Sequence, residues 1–332
     1  MVLSCPPDLI APSFLSFSVF SLVFSLIRDA SRLACVCTSS AAARTASIWR
    51  SRVRVTPRGV ILAPASGTFD VTVAPGQSVQ EAVDRCPPDG CVLLLPGNHS
   101  GPLVLGGDKD VHVFGRGRAT LASAGAGVCL TSMAARSTID GVILKQGIAI
   151  HDGGLRLQAC NIFGGKTYGV AYSAARIEHT AHPTLLACHL LGGNRGVFIT
   201  GNEANCRLEG CLITHSSHVG INAVNGANLE ALGCAVNHIG DGDGIGLEAR
   251  DNHTVVRVRD CTIANNLHGI WVESAHAVLN ACVIRDNQSY GVYMSQASIA
   301  QSSIAADCYI VRNSMGGVFH DGQGVVLTDS LQ

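Results

Sequence analysis

The residues best suited to chemistry are two aspartates set between three glycines, Gly240-Asp241-Gly242-Asp243-Gly244, with His238 just before them and Glu248 just after. Carboxylates so grouped could cleave a glycosidic bond as a general acid with a base or nucleophile, or hold calcium through their oxygens. Either task needs carboxylates paired across neighbouring elements, and two aspartates flanked by glycines also read as a polar turn. Asp241 and Asp243 therefore stand as the candidates for a metal, and no catalytic residue is assigned. His151-Asp152 and His320-Asp321 are sequence neighbours, which sends their side chains to opposite faces of a strand or into a turn, so neither makes a dyad. None of the 14 cysteines forms a Cys-x-x-Cys pair, and Cys35 with Cys37 is too isolated for a zinc site. No cofactor is expected.

The elements that must carry these residues follow from a pattern that returns seven times: a cysteine, an aliphatic two positions on, then a glycine followed by an aliphatic. The instances are Cys160/Ile162 with Gly169/Val170, Cys188/Leu190 with Gly196/Val197, Cys211/Ile213 with Gly220/Ile221, and Cys234/Val236 with Gly244/Ile245. Cys261/Ile263 with Gly269/Ile270, Cys282/Ile284 with Gly291/Val292, and Cys308/Ile310 with Gly317/Val318 complete it. Successive cysteines are 28, 23, 23, 27, 21 and 26 residues apart, the mark of an array with small insertions. Within a unit the apolar residues lie two apart, the period of a strand. So short a unit cannot bury its own side chains, but coils stacked about 4.8 Å apart pair every backbone group with the coil above and below. The expected fold is all-β, a right-handed parallel β-helix, with the cysteines as an internal ladder. Asn266, Asn287 and Asn313, each five residues after a rung cysteine, are expected to form a hydrogen-bonded ladder in a turn.

The position two after each rung glycine should point outward, and it reads Ala171, Phe198, Asn222, Gly246, Trp271, Tyr293, Phe319. Two residues further on, the same face is expected to carry Glu248, Glu273, Ser295 and Asp321. Stacked outward aromatics can zip up a sheet face, and they are also common anchors of a binding surface. Phe198, Trp271, Tyr293, Phe319 and Glu273, with His268 and Tyr290 alongside, are the candidate contacts for a target protein, a basic peptide or degron.

A chain of 332 residues, 47% apolar and 14% charged, is ample for a core, and a net charge of −1 gives no basic footprint for nucleic acid. Residues 53–68 read as a linker and 69–332 as the β-helix domain. Ser78-Val-Gln-Glu81 opens a short amphipathic helix over 78–86, suited to plugging the open end of a solenoid core. No cap is legible between the last unit and Gln332, which is the expectation for a shortened chain. Ladder cysteines kept reduced suit a reducing compartment, cytoplasmic or nuclear. The apolar run over 9–27 keeps open a secreted or membrane-anchored alternative, or an organellar transit peptide continuing through the acid-poor residues 31–58.

Within residues 1–52, Asp29-Ala-Ser-Arg-Leu-Ala-Cys-Val-Cys37 followed by Ile48-Trp49-Arg50 resembles the second half of an F-box. Pro7 or Pro12 can open the first helix of that module, although from Pro7 the segment is several residues too long and Ser40 stands near where a tryptophan is common. Leu33, Val36 and Cys37 fall on one helical face. The resemblance implies contact with a Skp-type adaptor on a cullin scaffold through Pro7 or Pro12, Leu33, Val36, Cys37 and Trp49. Residues 69–325 resemble the pectin-lyase-like β-helix superfamily, in particular the carbohydrate-binding and sugar-hydrolase subgroup that also includes F-box proteins, through Ser78-x-x-Glu-Ala-Val83 and Val92-Leu-Leu-Leu-Pro-Gly97. Together the two resemblances imply a non-catalytic substrate-recognition subunit of an SCF-type ubiquitin ligase. The alternative is a secreted or tethered carbohydrate-active β-helix with Asp241, Asp243 and the aromatics lining a sugar cleft. The paired aspartates are similar to a polygalacturonase segment, but that family's companion Gly-His-Gly and Arg-x-Lys motifs are absent.

Overall fold

In a computed structural model the chain is described over residues 53–56, 59–62 and 69–321, apart from 107–108, 124, 126, 134–135, 166–172, 296, 298–301 and 306. The adaptor candidates Pro7, Pro12, Leu33, Val36, Cys37 and Trp49 and the run 9–27 lie outside the described residues. Among the described residues no helix is long and apolar enough to cross a membrane. In the stretch read as a linker, Val53–Thr56 and Gly59–Leu62 pair as a two-stranded sheet.

From Phe69 onward the short apolar runs become parallel strands, as their period of two requires, and the chain coils through three faces per turn. One face is a ten-stranded parallel sheet: β1 (Leu103–Leu105), β2 (Leu130–Ser132), β3 (Ile148–Ile150), β4 (Ser173–Glu178), β5 (Arg195–Thr200), β6 (Val219–Val224), β7 (Ile245–Arg250), β8 (His268–Glu273), β9 (Tyr290–Met294) and β10 (Gly316–His320). Two further faces run from Arg156–Gln158 to Ser303–Ile304 and from Asn161–Gly164 to Tyr309–Val311, again with each strand parallel to its counterpart one coil away. Consecutive parallel strands joined through a crossover wind right-handed. The all-β parallel solenoid expected from the spacing is the fold observed.

Two ladders fix the corners. The rung cysteines Cys160, Cys188, Cys211, Cys234, Cys261, Cys282 and Cys308 are all buried, and among the described residues every cysteine is a free thiol. Cys211 Sγ donates to Leu185 O (3.3 Å) and Cys282 Sγ to Val258 O (3.4 Å), so each thiol bonds back to an earlier coil. The residue before the cysteine makes the bend: Ala159, Ala187, Asp260 and Ala281 have φ of 50–53°, with Gly210 and Gly233 in the same place. Burial pushes the Cys188 and Cys206 thiols well up, and that of Cys129 to about 12, which holds these three protonated.

The asparagine ladder forms at the next corner. Asn266 N–H donates to Asn287 Oδ1 (3.1 Å), Asn287 N–H to Asn313 Oδ1 (3.1 Å), and Asn287 Nδ2 to Ile263 O (3.4 Å), so each amide serves a backbone group that no strand pairs. At the N-terminal end, helix α1 (Val79–Arg85) is capped by Ser78 Oγ, which accepts from Glu81 N–H (3.2 Å), and buries Val79, Ala82 and Val83. Gln80 covers the sheet edge: its Oε1 accepts from Val104 N–H (2.8 Å) and its amide Nε2 donates to Val104 O (3.1 Å), the pairing a neighbouring strand would make.

Candidate functional site

Strand register places the outward residues of the ten-stranded face in one column. Ala149, Arg176, Phe198, Asn222, Glu248, Trp271, Tyr293 and Phe319 are successive cross-strand partners from β3 to β10. A second column alongside runs through Glu178, Thr200 and Val224, and Arg250 pairs with Glu273.

Three positions differ from the expected register. Glu248, not Gly246, stands in the aromatic column, and Arg250 takes the place beside it expected for Glu248. The rung glycine here is Gly246, where a Cβ would meet Gly269 O at 2.6 Å and Asn266 Nδ2 at 2.9 Å, the surroundings Gly269 has one coil later. Gly244 instead ends a tight turn over Ile239–Gly242, whose insertion shifted the count by two. On the earliest rung Arg176, not Ala171, partners Phe198; residues 166–172 lie outside the described residues. Counting back from the inward pair Leu247 and Ala249 would have found Glu248, because inward aliphatics keep register when glycines are inserted.

At the C-terminal end of the face the aromatic residues assemble. Trp271 and Tyr293 stack with centroids 3.9 Å apart, Tyr293 and Phe319 at 5.5 Å, and Tyr290 and Phe319 at 4.7 Å. His268 meets Trp271 edge-on at 4.9 Å and stacks towards Tyr290 at 6.3 Å. Burial lowers the His268 pKa, which favours the neutral ring. Five of the rings named from sequence thus form one cluster, while Phe198 stands apart on β5. There the guanidinium of Arg195 lies 4.7 Å and that of Arg176 5.9 Å from its centroid, a cation–π arrangement on the N-terminal side of Glu248.

Glu248 joins the two ends. It is buried, accepts from Asn222 Nδ2 (2.6 Å), and meets Arg250 Nη2 through Oε1 (2.7 Å); Arg250 Nε reaches Glu273 Oε2 at 3.4 Å. Burial pushes the Glu248 carboxyl up, and the nearby Arg250 and Arg195 offset only part of that. The face therefore carries arginines on β4 and β5, a buried carboxylate at mid-length, and aromatics flanked by Glu273 and Asp321 beyond; Tyr293 Oη donates to Asp321 Oδ2 at 3.4 Å.

Asp241 and Asp243 are both exposed, in the turn that precedes β7, and Glu248 bonds to Asn222 and Arg250 rather than to either of them. Metal-type ligands converge elsewhere among the described residues: His151, Glu178 and His179 present one ligand atom each, all within 4.8 Å of one another. His151 thus pairs with the carboxylate one coil on, not with its sequence neighbour Asp152. Cross-coil neighbours of this kind, about 27 positions apart in a chain of variable coil length, are invisible to local spacing.

Comparison with known proteins bears on the fold. A family model described as right handed beta helix region matches residues 116–236 and 177–330. A search of curated proteins finds no match. Among solved structures, the alginate lyase from Paenibacillus sp. str. FPU-7 is similar with a TM-score of 0.53 at 13% identity, over 76% of this chain and 98% of that one. The enzymatically active domain of bacteriophage CBA120 tailspike protein 2 is similar with a TM-score of 0.53 at 12% identity, over 81% of this chain and 45% of that one. At such identities the likeness is one of fold.

Proposed function

The chain belongs to the right handed beta helix family, and on that scaffold we propose a non-catalytic receptor that holds a basic segment of a target protein against the C-terminal half of the ten-stranded face. In this reading residues 1–52 dock on the Skp-type adaptor of a cullin scaffold, and the protein is the substrate-recognition subunit of an SCF-type ubiquitin ligase, working by proximity.

The observation that carries the recognition half is how the rings are used. Trp271, Tyr293 and Phe319 stack at 3.9 and 5.5 Å with interplanar angles of 20° and 19°, so both faces of Tyr293 and one face each of Trp271 and Phe319 are taken up by a neighbouring ring. A sugar-binding platform needs ring faces turned to solvent, whereas a ridge of ring edges bordered by Glu273 and Asp321 suits a peptide with basic side chains. Proximity function needs no acid–base pair.

A second reading rests on Glu248: a buried carboxyl with a raised pKa, linked through Arg250 to Glu273, is what a general acid acting on a polysaccharide would require. Three measurements separate the readings. Immobilised Skp-type adaptor should retain the intact chain and lose it on Leu33→Asp, and a lysine- and arginine-rich peptide library should bind the intact chain and not Trp271→Ala. Depolymerisation of a uronate polysaccharide that disappears in Glu248→Gln, with no adaptor retention, would overturn the receptor reading.

A further inference from the structure

At the other end of the ten-stranded face, the geometry points to a binding site for a divalent transition ion, zinc by preference, held by His151, Glu178 and His179. Neither the solenoid repeat nor the receptor reading calls for these residues, which occupy the corner where β3 and β4 end.

The backbone brings them together in a specific way. His151 follows β3 and Glu178 ends β4, so stacking of adjacent coils sets one above the other, and His151 Nδ1 lies 3.0 Å from Glu178 Oε2. His179 is the next residue after Glu178, and on a continuing strand its side chain would leave on the opposite face. It adopts φ 53° instead, ending the strand, and its ring comes back beside His151 with centroids 6.1 Å apart. The left-handed conformation of a non-glycine residue costs about 1 kcal/mol and is met where the fold imposes it.

The donor set defines the ion. Two imidazole nitrogens and one carboxylate oxygen are the ligands of zinc and its first-row neighbours, while calcium and magnesium take oxygens. Ligands about 2.0–2.1 Å from a tetrahedral ion lie about 3.3 Å from one another, close to the present His151–Glu178 separation. His179, exposed at the rim, supplies the remaining movement as its atom closes from within 4.8 Å. The carboxylate is already oriented: its other oxygen, Oε1, accepts from Arg176 Nε (2.7 Å), leaving Oε2 for the ion. Arg176 also places a positive charge beside the site, which sets the affinity below that of a closed structural zinc centre. Three protein ligands leave a fourth position open to water or a ligand atom.

The test is a cobalt titration of the intact chain, followed by visible absorption, with zinc as the competitor. A tetrahedral cobalt spectrum at one equivalent, bleached by zinc, is expected, and His151→Ala, His179→Ala and Glu178→Gln should each weaken binding tenfold or more. Zinc should also raise the melting temperature of the wild-type chain and leave that of the double variant His151→Ala/His179→Ala unmoved. Binding that survives in the double variant, or no stoichiometric binding by the wild type, overturns the assignment. Should the double variant fail to fold, the near-isosteric Glu178→Gln decides alone, and undiminished binding there is equally fatal.

Discussion

Along the inside of the coils one residue type returns at each place: Cys160, Cys188, Cys211, Cys234, Cys261, Cys282 and Cys308 at one corner, Asn266, Asn287 and Asn313 at another. On the outside of the same strands, one register column reads Arg176, Phe198, Asn222, Glu248, Trp271, Tyr293, Phe319. The backbone is equally regular on both sides. The inner positions solve one packing problem repeatedly, since each coil meets an identical neighbour, and a solenoid is stable when those interfaces repeat. The outer positions answer to whatever meets the face, so they differ from arginine to carboxylate to aromatic along its length.

The sharpest way to break that contrast is to disturb one inner contact. A Cβ at Gly269 would meet Gly291 O of the next coil at 2.4 Å and Ile284 Cγ2 at 2.7 Å, and a backbone oxygen cannot step aside. Gly269→Ala is expected to destabilise the fold by about 3 kcal/mol or more, read by urea denaturation. Loss of under about 0.5 kcal/mol would mean the coils tolerate separation and that the inner repeat is not the main constraint.

Asp140 is an exception on the outer side: it shares a register column with Gln158, Leu186 and Glu209, while its neighbour Ile139 faces inward with Val113 and Leu157. It is buried, paired in register with Phe114 and Gln158, and burial pushes its carboxyl up to about 7, with Arg156 offsetting part. An acid whose folded pKa is raised gives its full contribution below the unfolded value, near 3.8, and loses it as pH rises to the folded one. Wild-type stability should therefore fall between about pH 4 and pH 7 by up to about 1.4 kcal/mol per pH unit, and Asp140→Asn should flatten that slope. Parallel pH profiles of the two proteins would remove Asp140 from the account.

The same contrast explains what could be read in the sequence. The inner ladders were legible because cysteine, asparagine and aliphatic positions recur at coil spacing, and the coiled fold follows from them. The outer face was legible only where no insertion lay between glycine and column: Trp271, Tyr293 and Phe319 were placed, whereas the turn containing Asp241 and Asp243 displaced Glu248 by two positions. The His151–Glu178–His179 corner carries no repeat at all, and its convergence depends on a left-handed residue that no local pattern marks.

A smaller effect is expected in the asparagine ladder. Asn287→Ala removes the acceptor of Asn266 N–H and the donors to Ile263 O and Asn313 Oδ1 (2.8 Å), leaving buried backbone groups unpaired. Its cost should be about 2 kcal/mol, seen as a lowered denaturation midpoint with an unchanged slope. Asn287→Asp, which keeps the acceptor but loses the amide donor and buries a charge, should be worse at neutral pH than at low pH.

The smallest change in stability belongs to the outer column, and there the comparison is decided. Trp271 is half-buried; truncating it forfeits its stack on Tyr293 at 3.9 Å and its edge contact with His268 at 4.9 Å, about 1 kcal/mol in stacking. If the aromatics are a recognition surface, Trp271→Ala should weaken binding of a basic peptide tenfold or more while denaturation shifts little. If they only zip the sheet, the order reverses: stability falls as it does for Asn287→Ala and peptide binding follows the folded fraction alone. The ratio of the two effects, measured on one protein sample, therefore assigns the column either to the part of the coil that is copied or to the part that is varied.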